Sequence, residues 1–186
     1  MPLNFLVQMM KNKTLVFSLL LLVSCSSVSG RPKDAPPLSP ATNVISEKYL
    51  GKWYEIARYP NSFEKNCIKV TAQYSIRKDG NIEVLNSCIN STNNKLNVAK
   101  GVAKFVSANN ILSVNFAPIP LPAGKGNYYI LSVDDNHTYA VVGEPSGKYL
   151  WFLSRTPTID EATYDKMLKV ARENSYNTDF LEKVAQ

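Results

Sequence analysis

Three cysteines and one histidine are the chain's whole stock of thiols and imidazoles. A thiol can take up an acyl chain, pair with a second thiol or attack an electrophile, and the last role needs a base held beside it. His137 stands in Asp134-Asp135-Asn136-His137, a run of turn formers, where a solvated imidazole is expected. No His/Cys spacing suits a metal ion and no Gly-x-Ser-x-Gly elbow occurs. The reading is therefore a non-enzyme, with no catalytic residues, no metal and no cofactor.

The chemistry of Cys25 is set by what precedes it. Residues 10–24 run Met-Lys-Asn-Lys and then Thr-Leu-Val-Phe-Ser-Leu-Leu-Leu-Leu-Val-Ser, a basic start followed by an apolar stretch too short for a comfortable bilayer crossing. Residues 1–24 are read as a signal peptide, with translation from Met10 as an alternative start. Leu22-Val23-Ser24-Cys25 resembles the lipobox at which bacteria attach diacylglycerol to the cysteine and cut in front of it. Cys25 would then be the first mature residue, held on a membrane by acyl chains worth about 0.8 kcal/mol per buried methylene. Ser26 in place of Asp after that cysteine resembles the signal for the bacterial outer membrane, with the protein lipid-anchored on the periplasmic side. If lipid consumes Cys25, an even pair is left, and Cys67 and Cys88 can bridge in an oxidising compartment. Two free buried thiols are the alternative.

The elements that must position these groups begin after a Pro-rich stretch. Residues 25–44, with Pro32, Pro36, Pro37 and Pro40, read as a semi-extended tether, and residues 45–186 as one folded domain. The formal charge of +6 includes Lys11 and Lys13 of the signal segment, and the remaining basic residues are dispersed. That distribution does not suit nucleic acid.

From Lys52 to Arg155 short β-branched and aromatic runs alternate with turn signals such as Lys78-Asp79-Gly80-Asn81 and Pro145-Ser146-Gly147. Eight runs can be drawn: 52–59, 69–77, 82–89, 97–106, 111–116, 127–133, 138–144 and 148–155. Short connections make them antiparallel and up-and-down, the pattern of a sandwich or a barrel. Val70, Ala72, Tyr74 and Ile76 alternate with polar neighbours, giving one apolar face. Ala99, Gly101 and Ala103 on the fourth run are small, which would leave room inside an eight-stranded barrel. Tyr149-Leu150-Trp151-Phe152-Leu153 does not alternate, so both its faces should be covered. The amphipathic segment 159–174, with Thr158 as cap, Glu161 three positions on and a stripe of Tyr164, Met167, Leu168 and Ala171, is expected to pack outside as the one C-terminal helix. Residues 177–180 should add a short extended segment. With a turn at Asp79-Gly80, Cys88 faces Val70 or Thr71, so a 67–88 bridge would require residues 60–66 to curl over the barrel rim.

Gly51-Lys52-Trp53-Tyr54-Glu55-Ile56-Ala57-Arg58 resembles the first lipocalin motif, Gly-x-Trp, and Leu150-Trp151-Phe152-Leu153-Ser154-Arg155-Thr156-Pro157 the third, whose arginine ends the last strand. The second motif is only partly present, as Asp134-Asp135-Asn136-His137-Thr138-Tyr139. The resemblance implies an all-β, eight-stranded up-and-down antiparallel barrel with one helix outside. In it Gly51, Trp53 and Arg155 are structural, the guanidinium lying across the indole at the closed end. It also implies a lipid-binding protein of the cell envelope, holding a fatty acid or lysophospholipid for storage, transport or membrane maintenance, and it is compatible with a homodimer. Candidate ligand contacts are Tyr74, Phe105, Phe116, Tyr129, Tyr139 and Trp151. The alternatives are an envelope protein whose barrel is filled by its own side chains, or a lipid-acting enzyme of the same fold.

Overall fold

The computed structural model describes residues 30–107, 110–116 and 126–186. Residues 1–24, read as a signal peptide, and Cys25 lie outside the described residues. Eight antiparallel strands close on themselves: β1 (Gly51–Arg58), β2 (Cys67–Ile76), β3 (Ile82–Asn90), β4 (Leu96–Ser107), β5 (Ile111–Asn115), β6 (Tyr128–Val133), β7 (Tyr139–Gly143) and β8 (Leu150–Ser154). Each pairs with the next, and β1 pairs with both β2 and β8. The turn spacing suits a sandwich or a barrel, and the eight-stranded barrel that the resemblance implies is the observed fold.

The two faces of the strands make two separate cores. Tyr74, Val84, Ala103, Leu112, Ile130, Val142 and Leu153 point inward around Trp53. Leu131, Val141, Leu150 and Phe152 point outward and are covered by Met167 and Ala171 of the outer helix α2 (Glu161–Glu173). This explains the unbroken apolar run of β8, whose Trp151 and Leu153 serve the inside while Leu150 and Phe152 serve the helix. Full burial of Met167 alone contributes about 1.5–3 kcal/mol. The helix starts two residues later than the cap at Thr158 would have it. Asp160 is the N-cap, its carboxylate accepting from the Thr163 amide at 2.6 Å.

Two further pieces depart from the sequence expectation. A one-turn helix α1 (Ser46–Tyr49) precedes β1. The extended segment near residue 180 lies slightly later: Thr178–Phe180 form a 3₁₀ turn, and β9 (Glu182–Lys183) pairs with Ala57 and Arg58. The Lys69 amide donates to Ala185 O and the Val184 amide to Ile56 O, so this last segment bridges β1 and β2 where they diverge at the open end.

Residues 30–44 are not a free tether. The Gly30 amide donates to Gly147 O and the Ala41 amide to Ile130 O. Arg31 is buried, with Nε donating to Asn174 O at 2.8 Å and a second contact to Pro36 O. The segment is therefore a strap laid along the barrel wall, with the amides of Gly30, Ser39 and Ala41 donating to the 144–149 turn, the end of α2 and β6.

The closed end is sealed as the motif residues imply. Trp53 is fully buried and donates from Nε1 to Tyr49 O at 2.8 Å. The Arg155 guanidinium lies 3.7 Å from the centre of the Trp53 ring and donates to the carbonyls of Lys48, Leu50, Lys52 and His137. His137 is buried and not solvated: its Nε2 accepts from the Ile45 amide at 3.0 Å, joining the 134–138 turn to the segment before β1. The turn itself is gathered by Asp134, whose carboxylate accepts from the amides of Thr138 and Tyr139.

Cys67 and Cys88 are disulfide-bonded, their Cα atoms 5.4 Å apart. The strand itself closes the gap that residues 60–66 were expected to close by curling. A bulge between Ile68 and Thr71, with Lys69 at φ +50°, shifts the register and brings Cys67 beside Cys88.

Candidate functional site

The barrel interior is open above Trp53. Two adjoining cavities of about 240 and 700 Å³ share Phe63, Glu64, Asn86 and Phe116 as a common wall. The larger falls within the usual range for small-molecule pockets, ~300–1,000 Å³. It is bordered by Cys67 and Val70 of β2, residues 86–88 of β3 and residues 96–99 of β4, whereas the smaller lies deeper, between alternate residues of β2 and β8, and Phe63 and Glu64 of the 59–66 segment border both.

The floor is a tyrosine cluster. The Tyr128 hydroxyl is 2.7 Å from that of Tyr49 and 3.0 Å from that of Tyr74, and the Tyr49 ring lies 5.1 Å from Trp53. Burial pushes the Tyr74 phenol up to about 12 and raises Tyr49 and Tyr128 as well, so all three stay protonated as mutual donors and acceptors.

Higher in the cavity lies a buried charge cluster that residue spacing did not reveal. Arg58 Nη1 donates to Glu55 Oε1 at 2.8 Å and to Glu64 O through Nη2 at 3.0 Å, while its Nε is 3.9 Å from the Glu64 carboxylate. Glu64 also accepts from Asn61 and, at 3.4 Å, from Trp151 Nε1. Burial, then the charge of Glu64, raises Glu55 well above the usual carboxylate range against the opposing pull of Arg58. Two carboxylates and one guanidinium therefore share a low-dielectric site that readily holds an extra proton. On the facing wall, Asn86 Oδ1 is a buried acceptor with no hydrogen-bond partner among the described residues.

Of the residues expected to line the cavity, Tyr74, Phe116 and Trp151 do so. Tyr129 and Tyr139 do not. Both face outward into the core beneath α2, because their immediate neighbours Tyr128 and Ala140 take the inward positions of the pleat. Phe105 packs against the inner core below the cavities and lines neither. The small row of β4 also divides: Ala99 opens onto the larger cavity, whereas Ala103 is packed. Gly101 is small for a different reason, since a Cβ there would meet Asn115 O and the Phe116 ring at 2.9 Å.

Among the described residues no group of three or more His, Cys, Asp or Glu is placed to hold a metal ion. No described helix is long and apolar enough to cross a membrane.

Comparison with known proteins agrees with this geometry. Residues 44–186 match the family model described as a lipocalin-like domain. The chain is 37% identical over 175 residues to the outer membrane lipoprotein Blc of Vibrio cholerae, covering 92% of this chain and 98% of that protein. It is 35% identical over 160 residues to Blc of Escherichia coli, covering 84% and 85%. Apolipoprotein D of Mus musculus is 36% identical over 155 residues, covering 78% and 77%. Among solved structures, the cockroach allergen Per a 4 superposes with a TM-score of 0.63 at 22% identity, over 83% of this chain and 96% of the other. Insecticyanin of the tobacco hornworm Manduca sexta superposes with a TM-score of 0.59 at 15% identity, over 82% and 86%.

Proposed function

Because the chain belongs to the lipocalin family and, like its bacterial relatives, is an outer membrane lipoprotein, we propose that its open barrel binds a single-chain lipid of the cell envelope. In this reading Cys25 carries the anchor and the cavity, not a reactive group, carries the function. The observation that supports it is the hollow itself. An interior filled by protein side chains would leave no place for a ligand, and here a cavity of about 240 Å³ inside the barrel adjoins one of about 700 Å³ at the mouth.

The polar groups narrow the ligand class. A free fatty acid would bring a third carboxylate toward Glu55 and Glu64, with one guanidinium among them already engaged. A zwitterionic lysophospholipid head such as phosphoethanolamine brings no net charge: its ammonium and glycerol hydroxyl are donors that both carboxylates and Asn86 Oδ1 can accept, with its phosphate turned to the solvent at the mouth. The acyl tail would lie between Val84, Val114 and Leu153 toward the tyrosine floor, with the head at the Glu55–Arg58–Glu64 level.

The test is a titration of delipidated Cys25→Ser protein followed by tryptophan emission, since Trp151 lines the cavity. Lysophosphatidylethanolamine should give a saturable change at low-micromolar concentration. Palmitate should bind more weakly at pH 8 and gain on it as the pH falls toward 5. A response that never saturates with either lipid would mean a barrel that does not bind them.

A further inference from the structure

Four of the large exposed apolar side chains rim one opening. Phe63, Leu96, Val98 and Phe116 are 60%, 64%, 51% and 48% exposed, and all four border the larger cavity. They come from the segment before β2, the start of β4 and the residue after β5, which meet at the mouth. Of the other large exposed apolar side chains among the described residues, Ile45, Ile76 and Val106 stand at the ends of elements toward the closed end, and Phe180 packs edge-on against Tyr59. Apolar side chains standing around an opening are a recognised mark of an interaction surface.

Lysines stand on the loops that frame this opening, while the exposed Glu182 and Lys183 of β9 flank it beside β1. Segments 59–66, 91–95 and 144–149 each present one exposed lysine: Lys65, Lys95 and Lys148. Their carboxylates are withdrawn, Glu64 being buried against the cavity and Glu144 accepting from the amides of Ser146 and Lys148. An apolar centre ringed by lysines matches an anionic lipid surface.

The place where the strap joins the barrel shows which pole the membrane can reach. Gly30 is fastened at the mouth, its amide on Gly147 O and its carbonyl accepting from the Tyr59 hydroxyl at 3.0 Å. Four residues stand between it and Cys25, and the five steps of chain reach at most ~18 Å. The Arg155 end of the barrel lies about a strand's length farther off, ~26 Å for the eight residues of β1.

From the short reach, the apolar rim and its lysines, we infer that the mouth docks face-down on the anionic bilayer that holds the anchor. The cavity then opens onto the lipid, and an acyl chain can enter without crossing bulk water. This rests on Cys25 being the anchor, and the test separates the two claims. Mature acylated protein is reconstituted into phosphatidylethanolamine/phosphatidylglycerol 3:1 vesicles containing bromine-labelled acyl chains. Added tryptophans report depth, Phe63→Trp at the mouth and Lys78→Trp at the opposite pole, each read against the unsubstituted protein.

The expected result is co-flotation with vesicles and quenching of the Phe63→Trp emission at least fourfold greater than that of Lys78→Trp. A Phe63→Ser/Leu96→Ser/Phe116→Ser variant, folded as judged by an unchanged melting transition, should still float but lose the quenching of Trp151. Equal quenching at both poles, or none at either in floating protein, overturns the docking while leaving the anchor intact. Failure to float overturns the anchor and the docking with it. An unquenched Phe63→Trp in a protein that sediments as a dimer, and reverts to monomer in the triple variant, assigns the rim to a second copy and overturns the membrane.

Discussion

Glu55 and Arg58 are three residues apart on β1, yet both side chains face the barrel interior and meet at 2.8 Å. Strict alternation would send one of them outward. A bulge between Glu55 and Ala57 resets the pleat, turning Ile56 and Ala57 to the outer core and Arg58 inward. One extra residue thus places a cation between two buried carboxylates.

That cluster sets a pH dependence. The pKa of Glu55 is raised in the folded state, so its stabilising contribution is complete below the ordinary value near 4.5 and is lost as pH rises through the folded value. Glu55→Gln, which keeps the shape without the charge, should flatten the decline in melting temperature between pH 5 and pH 8. An unaltered slope would show that Glu55 does not titrate as a buried acid.

Removing the cation should do the reverse. Arg58→Met leaves Glu55 and Glu64 facing each other without a counter-charge, and breaking a buried pair in this way costs about 3–5 kcal/mol. Urea unfolding should show that loss at pH 8 and a smaller one at pH 5, toward which the raised Glu55 takes up a proton. An equal loss at both pH values would point to lost packing of the arginine stem instead.

The disulfide should act as a staple. Closing the loop between Cys67 and Cys88, a sequence separation of 21, is worth about 3 kcal/mol in the loop-entropy picture. A Cys67→Ser/Cys88→Ser variant should lose about that much in chemical denaturation while keeping the barrel's circular dichroism.

At the closed end, Arg155→Lys and Arg155→Ala should differ little from each other. The guanidinium serves four carbonyls at once and covers the Trp53 ring, a geometry that an ammonium cannot reproduce. Both should lower the unfolding midpoint, with lysophospholipid affinity measured on the remaining folded protein unchanged. A lysine variant as stable as the parent would show that charge alone suffices there.

The fold was legible because its signals are local and periodic: turn residues every few positions, alternation along β2, and two motifs that pair at the closed end. The ligand contacts were less so. Tyr128 and Tyr129 are chemically identical neighbours, and only the register of β6 sends one inward and the other beneath the helix. Arg58 was hidden by the bulge before it, and Glu64 by lying in a segment with no periodicity at all. The strap of residues 30–44 read as a tether because prolines signal extension, whereas its docking depends on carbonyls of Gly147, Ile130 and Asn174 that are far away in sequence.

The clearest separation of binding from folding is available at Ala99. It opens onto the larger cavity, so a bulky side chain there can grow into empty space without displacing packed neighbours, unlike a change at the buried Ala103 or the tightly approached Gly101. Ala99→Trp should therefore melt within a few degrees of the parent while weakening lysophospholipid binding by tenfold or more in the tryptophan titration. Ala103→Trp should instead destabilise by roughly 1–3 kcal/mol, the usual range for overpacking a filled core. Binding that survives Ala99→Trp at full affinity would show that the ligand is held by the inner cavity alone and does not extend into the larger one.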